Sequence, residues 1–523
     1  MESPNENASP DPRVTDLSYR GPETAARTRG DLAAVIGVAT AVIVAHVVTN
    51  GRYGLHGDEL QVLDDARHLA WGFVAYPPLT PFIERLALVL SGHSIVGLRM
   101  FSVLGQGAVL ILTGMMAREL GAGRVAQIVG ALAVATSPGP MFEATEFQYS
   151  SFDMLWWVLI AYFLIRLLKT ENPRWWIGIG AAIGAGLMTK YTMAFDLAGM
   201  AGGVLLTPSR RYLRTPWLWI GAAFAALIFA PNLLWQIRHH FVSLRFLRHI
   251  HTRDVGMGLT QGFVPGQFII NTNPLLAPLW IAGLLYFFAG REGQRYRLLG
   301  WLYVIPLATL FFAKGKMYYI GPAYPMLFAA GSVLWQHLLE CLSIAWSRAL
   351  EVATFAAIAV GGAFATAMCL PIRPLISPHN PALEYNPALR EEIGWTDLVA
   401  AVAKVRDSLP AGEREHLAIL TGNYGETGAI DFYGPAYGLP QAISGTNTAW
   451  YRGYGDSPPE TLIVLGLSRR YVDAHFASCR LAGHNGNPYG VKNQESQDNP
   501  DIFVCGPPLA GWPAFWSHFQ RFG

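Results

Sequence analysis

The sequence predicts a mainly α-helical protein, in which a polytopic bundle of membrane-spanning helices is followed by a small α/β domain. Of its 523 residues, 52% are hydrophobic and only 14% are charged, whereas soluble domains carry roughly 25% charged residues. The mean hydropathy is +0.28. The 38 basic and 36 acidic residues nearly balance, so net charge gives no indication of nucleic-acid binding.

Apolar segments close to the roughly 20 residues that a helix needs to cross a bilayer recur along the first part of the chain. They lie near 31–50, 95–117, 124–140, 152–168, 174–189, 191–207, 216–235, 267–289, 298–313, 318–338 and 350–370. We interpret 174–189 and 191–207 as a hairpin of two short helices with Lys190 at its turn; one kinked helix is the alternative. The polar residues 1–30 are predicted to form a disordered cytoplasmic tail. The membrane domain is therefore assigned to residues 31–370.

Basic residues in the short loops predict the orientation of these spans, because Lys and Arg are retained on the cytoplasmic side. With the N-terminus inside, most basic loops face the cytoplasm, and the outside loop at 141–150 has two Glu and no Lys or Arg. Residues 371–523 are then extracytoplasmic, and we expect a bacterial inner-membrane protein. Two long outside loops, 51–94 and 236–264, also contain basic residues. Contact with lipid head groups and an anion site for a phosphorylated substrate both remain open there.

The composition changes after the last apolar segment. Prolines punctuate residues 371–394 and predict a linker. Between residues 395 and 523, runs typical of strands alternate with helical patterns, which predicts an α/β domain. The Gly-rich segment 421–434 lacks the spacing of a phosphate-binding loop, so we interpret it as turns. Cys479 and Cys505 are the only cysteines after residue 370, and we predict a disulfide between them if the domain is extracytoplasmic.

The first long outside loop carries the leading catalytic candidates. Asp58 and Glu59 are adjacent in GDELQ (57–61), directly after the first predicted span. Asp58 could cap the following helix, with Gly57 ending the segment before it. The functional interpretation is a carboxylate at the membrane surface, where a base could reach the hydroxyl of an acceptor.

Four segments in this order resemble one enzyme family. They are GDELQ (57–61), AYPPLTPF (75–82), YSSFDMLWW (149–157) with GLMTKYTMAF (186–195), and KGKMYYIGPAYPML (314–327). Together they resemble the glycosyltransferase 39 group of the GT-C superfamily, which includes protein O-mannosyltransferases and aminoarabinose transferases. The tract 423–455 is similar to the C-terminal domain of bacterial relatives. Tyr76 stands where many members have His, so the role of that position is open.

The resemblance implies a GT-C-like bundle that transfers a sugar with inversion from a polyprenyl-phosphate donor to an extracytoplasmic protein, lipid or glycan. Asp58 would be the general base, and Glu59 would support it or orient the acceptor. Membrane lipids are the expected surroundings. No cofactor is expected, since the donor is a lipid phosphate and the chain has no nucleotide-binding signature. No metal site is expected either, because adjacent histidines such as those at 239–240 point in different directions on a helix.

Positive charge should stabilise the departing phosphate. The leading candidates for contacting the phosphate are Lys314, Lys316, Tyr318 and Tyr319, followed by Arg238, His239 and His240, and then by Lys190. Lys190 could instead extend to the interface, and the two tyrosines could belong to an aromatic belt. Asp153 is either a helix cap or a polar group of the active cavity, beside Glu146. Both carboxylates are the next candidates for the base.

A rival function is a transporter or flippase that moves a lipid-linked sugar without chemistry. Transporters place polar residues near the bilayer midplane on broken helices. Here the charged residues collect at the ends of the predicted spans and in two long loops. This distribution favours an interfacial enzyme over a transporter, and the Asp58–Glu59 pair argues against a catalytically inactive scaffold.

Overall fold

A computed structural model of the protein describes residues 22–377 and 379–523. Its membrane region consists of α1 (Pro22–Thr49), α2 (Gly57–Arg67), α3 (Leu79–Ser91), α4 (Ile95–Glu119), α5 (Arg124–Ala135), α6 (Pro138–Glu143), α7 (Tyr149–Thr170), α8 (Trp175–Leu187), α9 (Met193–Leu206), α10 (Pro216–Arg238), α11 (Val242–Gly256), α12 (Phe263–Ile269), α13 (Ala277–Ala289), α14 (Arg297–Phe312), α15 (Tyr324–Cys341) and α16 (Ile344–Cys369). Short 3₁₀ helices join several of them, including Met317–Ala323 before α15.

Each predicted apolar segment coincides with a helix or a helix pair. By length and hydropathy, five of the described helices could cross a membrane on their own: α1 from Gly30, α4, α7, α10 and α16. A sixth is added if the pair Phe263–Ile269 and Pro274–Ala289, bent by 91°, is one span. The helices α5, α8 and α9 are apolar but shorter. The membrane-helix architecture is therefore confirmed, and the number of eleven spans stays a prediction.

Two boundary predictions are decided by the structure. A turn separates α8 from α9, so the hairpin interpretation of this region is confirmed and the single kinked helix is wrong. The helix α1 begins at Pro22, so the last part of the predicted tail is helical. The prediction for residues 1–21 lies outside the described residues.

Glycines allow neighbouring helices in the bundle to approach closely. A Cβ on Gly180 of α8 would lie 2.1 Å from the backbone oxygen of Gly221 on α10. A Cβ on Gly331 of α15 would lie 1.9 Å from the backbone oxygen of Leu279 on α13. Small residues at such crossings let backbones pack directly in a membrane, where the lipid supplies no hydrophobic force between helices.

The C-terminal domain is a five-stranded sheet with helices around it. The linker before it contains α17 (Pro381–Tyr385) and α18 (Pro387–Arg390). The domain contains α19 (Trp395–Ser408), α20 (Ala411–Glu415), β1 (Leu417–Thr421), α21 (Tyr424–Tyr433), β2 (Ala442–Ser444), β3 (Thr461–Leu465), α22 (Arg469–His475), β4 (Arg480–His484), α23 (Gln494–Gln497), β5 (Asp501–Cys505) and α24 (Trp512–His518). The strand order is β2-β1-β3-β5-β4. The pairs β1–β2 and β1–β3 are parallel, and β5 runs antiparallel to β3 and β4.

Most predictions for this domain are confirmed, and one is wrong. The three predicted strands are β1, β3 and β5, and the disulfide Cys479–Cys505 is present. The segment 421–434, predicted as turns, contains α21. Asn423 and Glu426 form a reciprocal cap at the start of this helix, and the cap outweighs the low helix propensity of the glycines.

The sheet domain and the loop 51–94 share one apolar core. Leu60 and Leu63 of α2 pack in the same buried cluster as Trp395 of α19 and Ile430 of α21. A Cβ on Gly428 of α21 would lie 2.2 Å from the backbone oxygen of Leu60. The two helices are therefore in close contact, which places the start of α21 beside the start of α2.

Candidate active site

The two adjacent acids lie in the first turn of α2, but neither provides its N-terminal side-chain cap. His56 is the capping residue, since its Nδ1 accepts a hydrogen bond from the backbone N–H of Asp58 at 3.1 Å. Glu59 completes a capping box by accepting from the backbone N–H of His56 at 2.8 Å. The alternative that Asp58 caps this helix is therefore wrong, and its carboxylate is available for other contacts.

The carboxylate of Asp58 faces the C-terminal domain and two cavities. Its Oδ1 accepts a hydrogen bond from the hydroxyl of Tyr424 at 2.8 Å. Asp58 is the acid that lines both a cavity of about 240 Å³ and a neighbouring cavity of about 430 Å³. A base at this border can reach groups that enter from either side.

The smaller cavity, called the basic cavity below, combines cations with phenol hydroxyls. Its lining includes Lys190, Lys316, Arg253 and the tyrosines Tyr76, Tyr149, Tyr191, Tyr318, Tyr319 and Tyr424. Cations and hydroxyl donors are the groups that bind a phosphate. This cavity therefore has the chemistry expected for the phosphate of a lipid-linked donor.

Lys190 occupies the centre of a tyrosine cage at the turn between α8 and α9. Its Nζ lies 5.2 Å from the ring centroid of Tyr149, 5.5 Å from that of Tyr318 and 5.2 Å from that of Tyr319. The residue is 9% exposed. The cage holds the ammonium group by cation–π contacts and leaves it facing the basic cavity. Extension to the membrane surface, the alternative interpretation of Lys190, does not describe this position.

Lys316 and Lys314 are separated by the structure. Lys316 lines the basic cavity and forms an ion pair with Asp254 at 2.7 Å. Arg253 lines the same cavity and contacts the same carboxylate at 3.1 Å. Lys314 is exposed, has a φ of 52° and lies outside the residues that line either cavity. Of the two lysines, only Lys316 is placed to contact a ligand in the basic cavity.

The second group of phosphate candidates does not reach the basic cavity. Arg238 ends α10, and the ring of His239 stacks on Trp235 with centroids 3.9 Å apart. His239 also meets the ring of Tyr451 at 5.2 Å. Neither these two residues nor His240 is among those that line the two cavities. Across the described residues, no group of three or more His, Cys, Asp or Glu side chains could hold a metal ion.

The larger cavity, called the apolar cavity below, is lined mainly by apolar side chains of α6, α12 and α16. Its glutamates are Glu146, which is buried, and Glu143, which is partly buried. Burial, followed by the charges of Glu59 and Asp58, raises the pKa of Glu146 well above its ordinary value. Burial also raises the pKa of Glu143, with Lys190 opposing the shift. At pH values below this raised pKa, Glu146 is mostly protonated, so it is less available to accept a proton than an exposed glutamate.

Asp153 lies next to the lysine cage and does not cap α7. It is the fifth residue of that helix, and its Oδ2 accepts a hydrogen bond from the hydroxyl of Thr192 at 3.0 Å. Asp153, Lys190 and Glu143 line one small void of about 20 Å³. The cap interpretation of Asp153 is therefore wrong. Asp153 lines neither the basic nor the apolar cavity, and its role in the active site stays a prediction.

Glu59 is hydrogen-bonded to protein groups and holds α2 in place beside the cavities. Arg99 of α4 donates to both oxygens of Glu59, from Nε at 2.8 Å and from Nη2 at 2.5 Å. The backbone N–H of Phe147 donates to the same carboxylate at 2.8 Å. Arg99 is fully buried and also contacts Glu392 of the linker at 3.2 Å. Because its oxygens are occupied by protein donors, Glu59 positions α2 and does not line either cavity.

Tyr76, at the position where many members of the resembling group have His, has a defined partner. Its hydroxyl donates to Asp65 of α2 at 2.7 Å. Asp64 beside it is paired with Arg452 of the C-terminal domain, whose Nη1 donates at 2.8 Å. Burial opposes the charge of Asp64, but Arg452 outweighs it and lowers the pKa of Asp64. Burial and the charge of Asp64 raise the pKa of Asp65 to about 7.

Sequence reasoning missed several residues of the site. Tyr149 lies in the segment 149–157 that carries the family resemblance, and Arg253 lies in the basic loop 236–264. Their aromatic and basic side chains, close to the proposed phosphate site, were the signal that could have identified them. Tyr424 belongs to the distant C-terminal domain, 366 residues from Asp58. No local pattern connects these two positions.

The chain resembles known proteins in sequence and in fold. A family model described as dolichyl-phosphate-mannose-protein mannosyltransferase matches residues 75–235. The chain is 27% identical over 307 residues to the lipid A galacturonosyltransferase RgtD of Rhizobium johnstonii, covering 56% of this chain and 62% of that relative. The matched region thus spans less than two thirds of the relative's length.

Solved structures agree on the fold. ArnT from Cupriavidus metallidurans, bound to undecaprenyl phosphate, superposes with a TM-score of 0.56 and 14% identity, covering 91% of this chain and 98% of that chain. The apo form of that protein gives the same values. These likenesses show a GT-C-like fold, and together with the family model they confirm the resemblance to the GT-C glycosyltransferases.

Proposed function

We propose that the protein is an integral membrane glycosyltransferase that moves a sugar from a polyprenyl-phosphate donor to an acceptor hydroxyl with inversion. The observation that carries the proposal is the position of Asp58 between the basic cavity and the apolar cavity. A base at that border can activate an acceptor on one side while the donor phosphate lies on the other. The fold and the family model support this class of reaction.

In the proposed step, the acceptor oxygen attacks the anomeric carbon from the face opposite the phosphate. The bond between the acceptor oxygen and the carbon forms while the bond from the carbon to the phosphate oxygen breaks, which inverts the configuration. Asp58 takes the proton of the acceptor hydroxyl. The phosphate leaves with the bonding electron pair, and Lys190 and Lys316 stabilise its charge. Glu59 keeps Asp58 in place through α2.

The donor assignment rests on the basic cavity and on the family. Lys190 is fixed by its three tyrosines, so the charge is held in place before the donor binds. Preorganised charge of this kind stabilises a developing anion without reorganisation. The structural neighbour with bound undecaprenyl phosphate makes a polyprenyl phosphate the first donor lipid to test. No cofactor is part of the proposed step.

For the acceptor and the sugar, the proposal names chemical classes and not single compounds. A protein, a glycan or a lipid could supply the hydroxyl. The relative named as a lipid A galacturonosyltransferase makes lipid A and a uronic-acid donor the first pair to test.

We also propose that the catalytic face and the C-terminal domain are extracytoplasmic, with the N-terminus in the cytoplasm of a bacterial inner membrane. The bias of basic loops and the disulfide Cys479–Cys505 support this orientation. Alkaline phosphatase fused after residue 371 should be active in a bacterial host. An inactive fusion, with a cytoplasmic reporter active at the same point, would contradict the orientation.

One observation keeps the transporter as the second candidate. The helices α12 and α13 meet at 91° within a possible span, and broken helices are common at transporter binding sites. The two functions differ in product, because a transporter returns the lipid-linked sugar intact. An enzyme releases polyprenyl phosphate and a glycosylated acceptor.

The experiment uses the purified full-length protein with a polyprenyl-phosphate sugar and a panel of acceptors. The wild type should form glycosylated acceptor, and Asp58→Asn should lower turnover about a hundredfold or more, as expected for losing a general base. Donor binding by Asp58→Asn should be nearly unchanged, since Asn keeps the size of the side chain. Asp473→Asn, at an exposed position of α22, is the matched control. Turnover near the wild-type value in Asp58→Asn would move the base to Asp153 or Glu146.

A further inference from the structure

The C-terminal domain contributes a residue that touches the proposed base. The hydroxyl of Tyr424 donates to Oδ1 of Asp58 at 2.8 Å. Tyr424 also lines the basic cavity, so its side chain is part of the site and not only of the domain surface. A hydrogen bond to one carboxylate oxygen selects an orientation of the whole group and leaves the other oxygen for a second partner.

The position of Tyr424 is determined by packing on both sides of the contact. It is the first residue of α21, directly after the capping residue Asn423. Gly428, one turn further along, lies against the backbone of Leu60 on α2, and Gly425 lies against the ring of Trp395. A larger residue at Gly428 would push α21 away from α2, and one at Gly425 would push it away from α19. Domain packing therefore sets the distance between Tyr424 and Asp58.

The charges around this contact keep the hydroxyl of Tyr424 protonated. Titratable groups from several elements lie near Asp58: His56 before α2, the adjacent Glu59, Glu146 before α7, Tyr149 on α7, Lys190 after α8 and Tyr318 in the 3₁₀ helix. The negative charge of Asp58, and then burial, raise the pKa of Tyr424 well above its ordinary value. Tyr424 therefore acts as a hydrogen-bond donor and does not compete with Asp58 as a base.

We propose that Tyr424 is a positioning residue for the transfer reaction, and that the C-terminal domain completes the active site by holding Oδ1 of Asp58 through this residue. The second oxygen, Oδ2, is then turned toward the acceptor and receives its proton. The inference rests on the proposed role of Asp58. It gives the C-terminal domain a part in catalysis in addition to any role in binding an acceptor.

Tyr424→Phe removes the hydroxyl and keeps the ring. We expect kcat to fall roughly tenfold, the effect of losing one hydrogen bond to an ionised group, with little change in donor affinity. A donor to a carboxylate favours its charged form. Without that donor, protonation becomes easier, so the acidic limb of the kcat/KM profile should move to higher pH by about one unit.

Tyr433→Phe is the matched control, since it removes a hydroxyl from the last residue of the same helix α21. Tyr433 lines neither cavity, so its variant should keep the wild-type acidic limb. A variant of Tyr424 that only loosened the domain would lower the amount of active protein without moving the limb. Thermal unfolding of both variants checks that they are folded.

The comparison is completed in the Asp58→Asn background. Adding Tyr424→Phe there should cost little further activity, because the carboxylate that Tyr424 orients is already absent. An unmoved acidic limb in Tyr424→Phe, with Asp58→Asn inactive, overturns this inference and leaves the proposed function intact. Wild-type activity in Asp58→Asn overturns the proposed base itself. The two failures are therefore distinguishable.

Discussion

Arg99 of α4 donates to both carboxylate oxygens of Glu59, and the pair is completely enclosed by the protein. Its second acidic partner, Glu392, comes from the linker before the C-terminal domain. One buried guanidinium thus joins α4 of the membrane bundle, α2 and the linker. The two neighbouring acids therefore have different surroundings. Asp58 faces the cavities, whereas Glu59 is bound to Arg99 and stabilises the fold.

Glu59→Gln should therefore affect stability more than chemistry. Removing one charge of a buried ion pair leaves Arg99 with less compensation, and such changes cost about 3 kcal/mol or more. We expect a clearly lower thermal unfolding midpoint in detergent, whereas Asp58→Asn should unfold near the wild-type temperature. Residual folded Glu59→Gln protein should retain more turnover per molecule than Asp58→Asn. A fully stable Glu59→Gln variant with Asp58→Asn-like turnover would assign Glu59 a chemical role.

Lys190→Gln should weaken donor binding. The substitution keeps a polar side chain of similar length inside the cage of Tyr149, Tyr318 and Tyr319 but removes the charge that a phosphate would meet. We expect the dissociation constant for polyprenyl phosphate to rise about tenfold or more.

The matched control for this measurement is Lys314→Gln, which removes a lysine charge from an exposed position outside both cavities. Its donor affinity should equal that of the wild type. Equal losses of donor affinity in Lys190→Gln and Lys314→Gln would mean that both lysines act through general surface charge. The tyrosine cage would then not hold the phosphate.

The buried acid Asp65 should make stability depend on pH. Burial and the charge of Asp64 raise its pKa in the folded protein to about 7, against roughly 4 when unfolded. The contribution of Asp65 to the free energy of unfolding is therefore fully present below about pH 4 and is lost as the pH rises toward 7. Asp65→Asn keeps an acceptor for Tyr76 and cannot ionise. Its unfolding midpoint relative to wild type should rise from acid to neutral pH.

Asp456→Asn, at an exposed loop position, is the control for this pH series. The difference in unfolding midpoint between Asp456→Asn and the wild type should be the same at every pH in the series. If the Asp65→Asn difference is also constant with pH, then Asp65 is ionised in the folded protein and the local charge balance differs from the one described.

The disulfide should stabilise the C-terminal domain. It joins positions 26 residues apart, Cys479 beside β4 and Cys505 at the end of β5. A crosslink over a loop of this length contributes about 3 kcal/mol by restricting the unfolded chain. Cys479→Ser with Cys505→Ser should lower the unfolding midpoint, and peptide mapping without reductant should recover the linked pair from wild type. Two free thiols in the purified protein would contradict the bond and weaken the extracytoplasmic orientation.

Several parts of the fold were predictable because they depend on residues close together in the chain. Hydropathy alone located the apolar helices, and the runs at 417–420, 461–467 and 501–505 became strands of the sheet. The pair Asp58–Glu59 was recognisable because the two acids are adjacent in the chain, directly after the first predicted span. The segment 421–434 was mispredicted, since its glycines suggested turns while the reciprocal cap of Asn423 and Glu426 starts a helix.

By itself, the sequence determined the membrane-helix architecture, the α/β domain and the identity of the leading acid, since these follow from composition, periodicity and short motifs. Only the tertiary structure decided which distant side chains meet. It brought Tyr424 to Asp58, enclosed Lys190 in three tyrosines from two elements, and left Arg238, His239 and His240 outside both cavities. The physical reason is that hydrophobicity specifies which segments are buried, whereas contacts between them depend on how the helices pack.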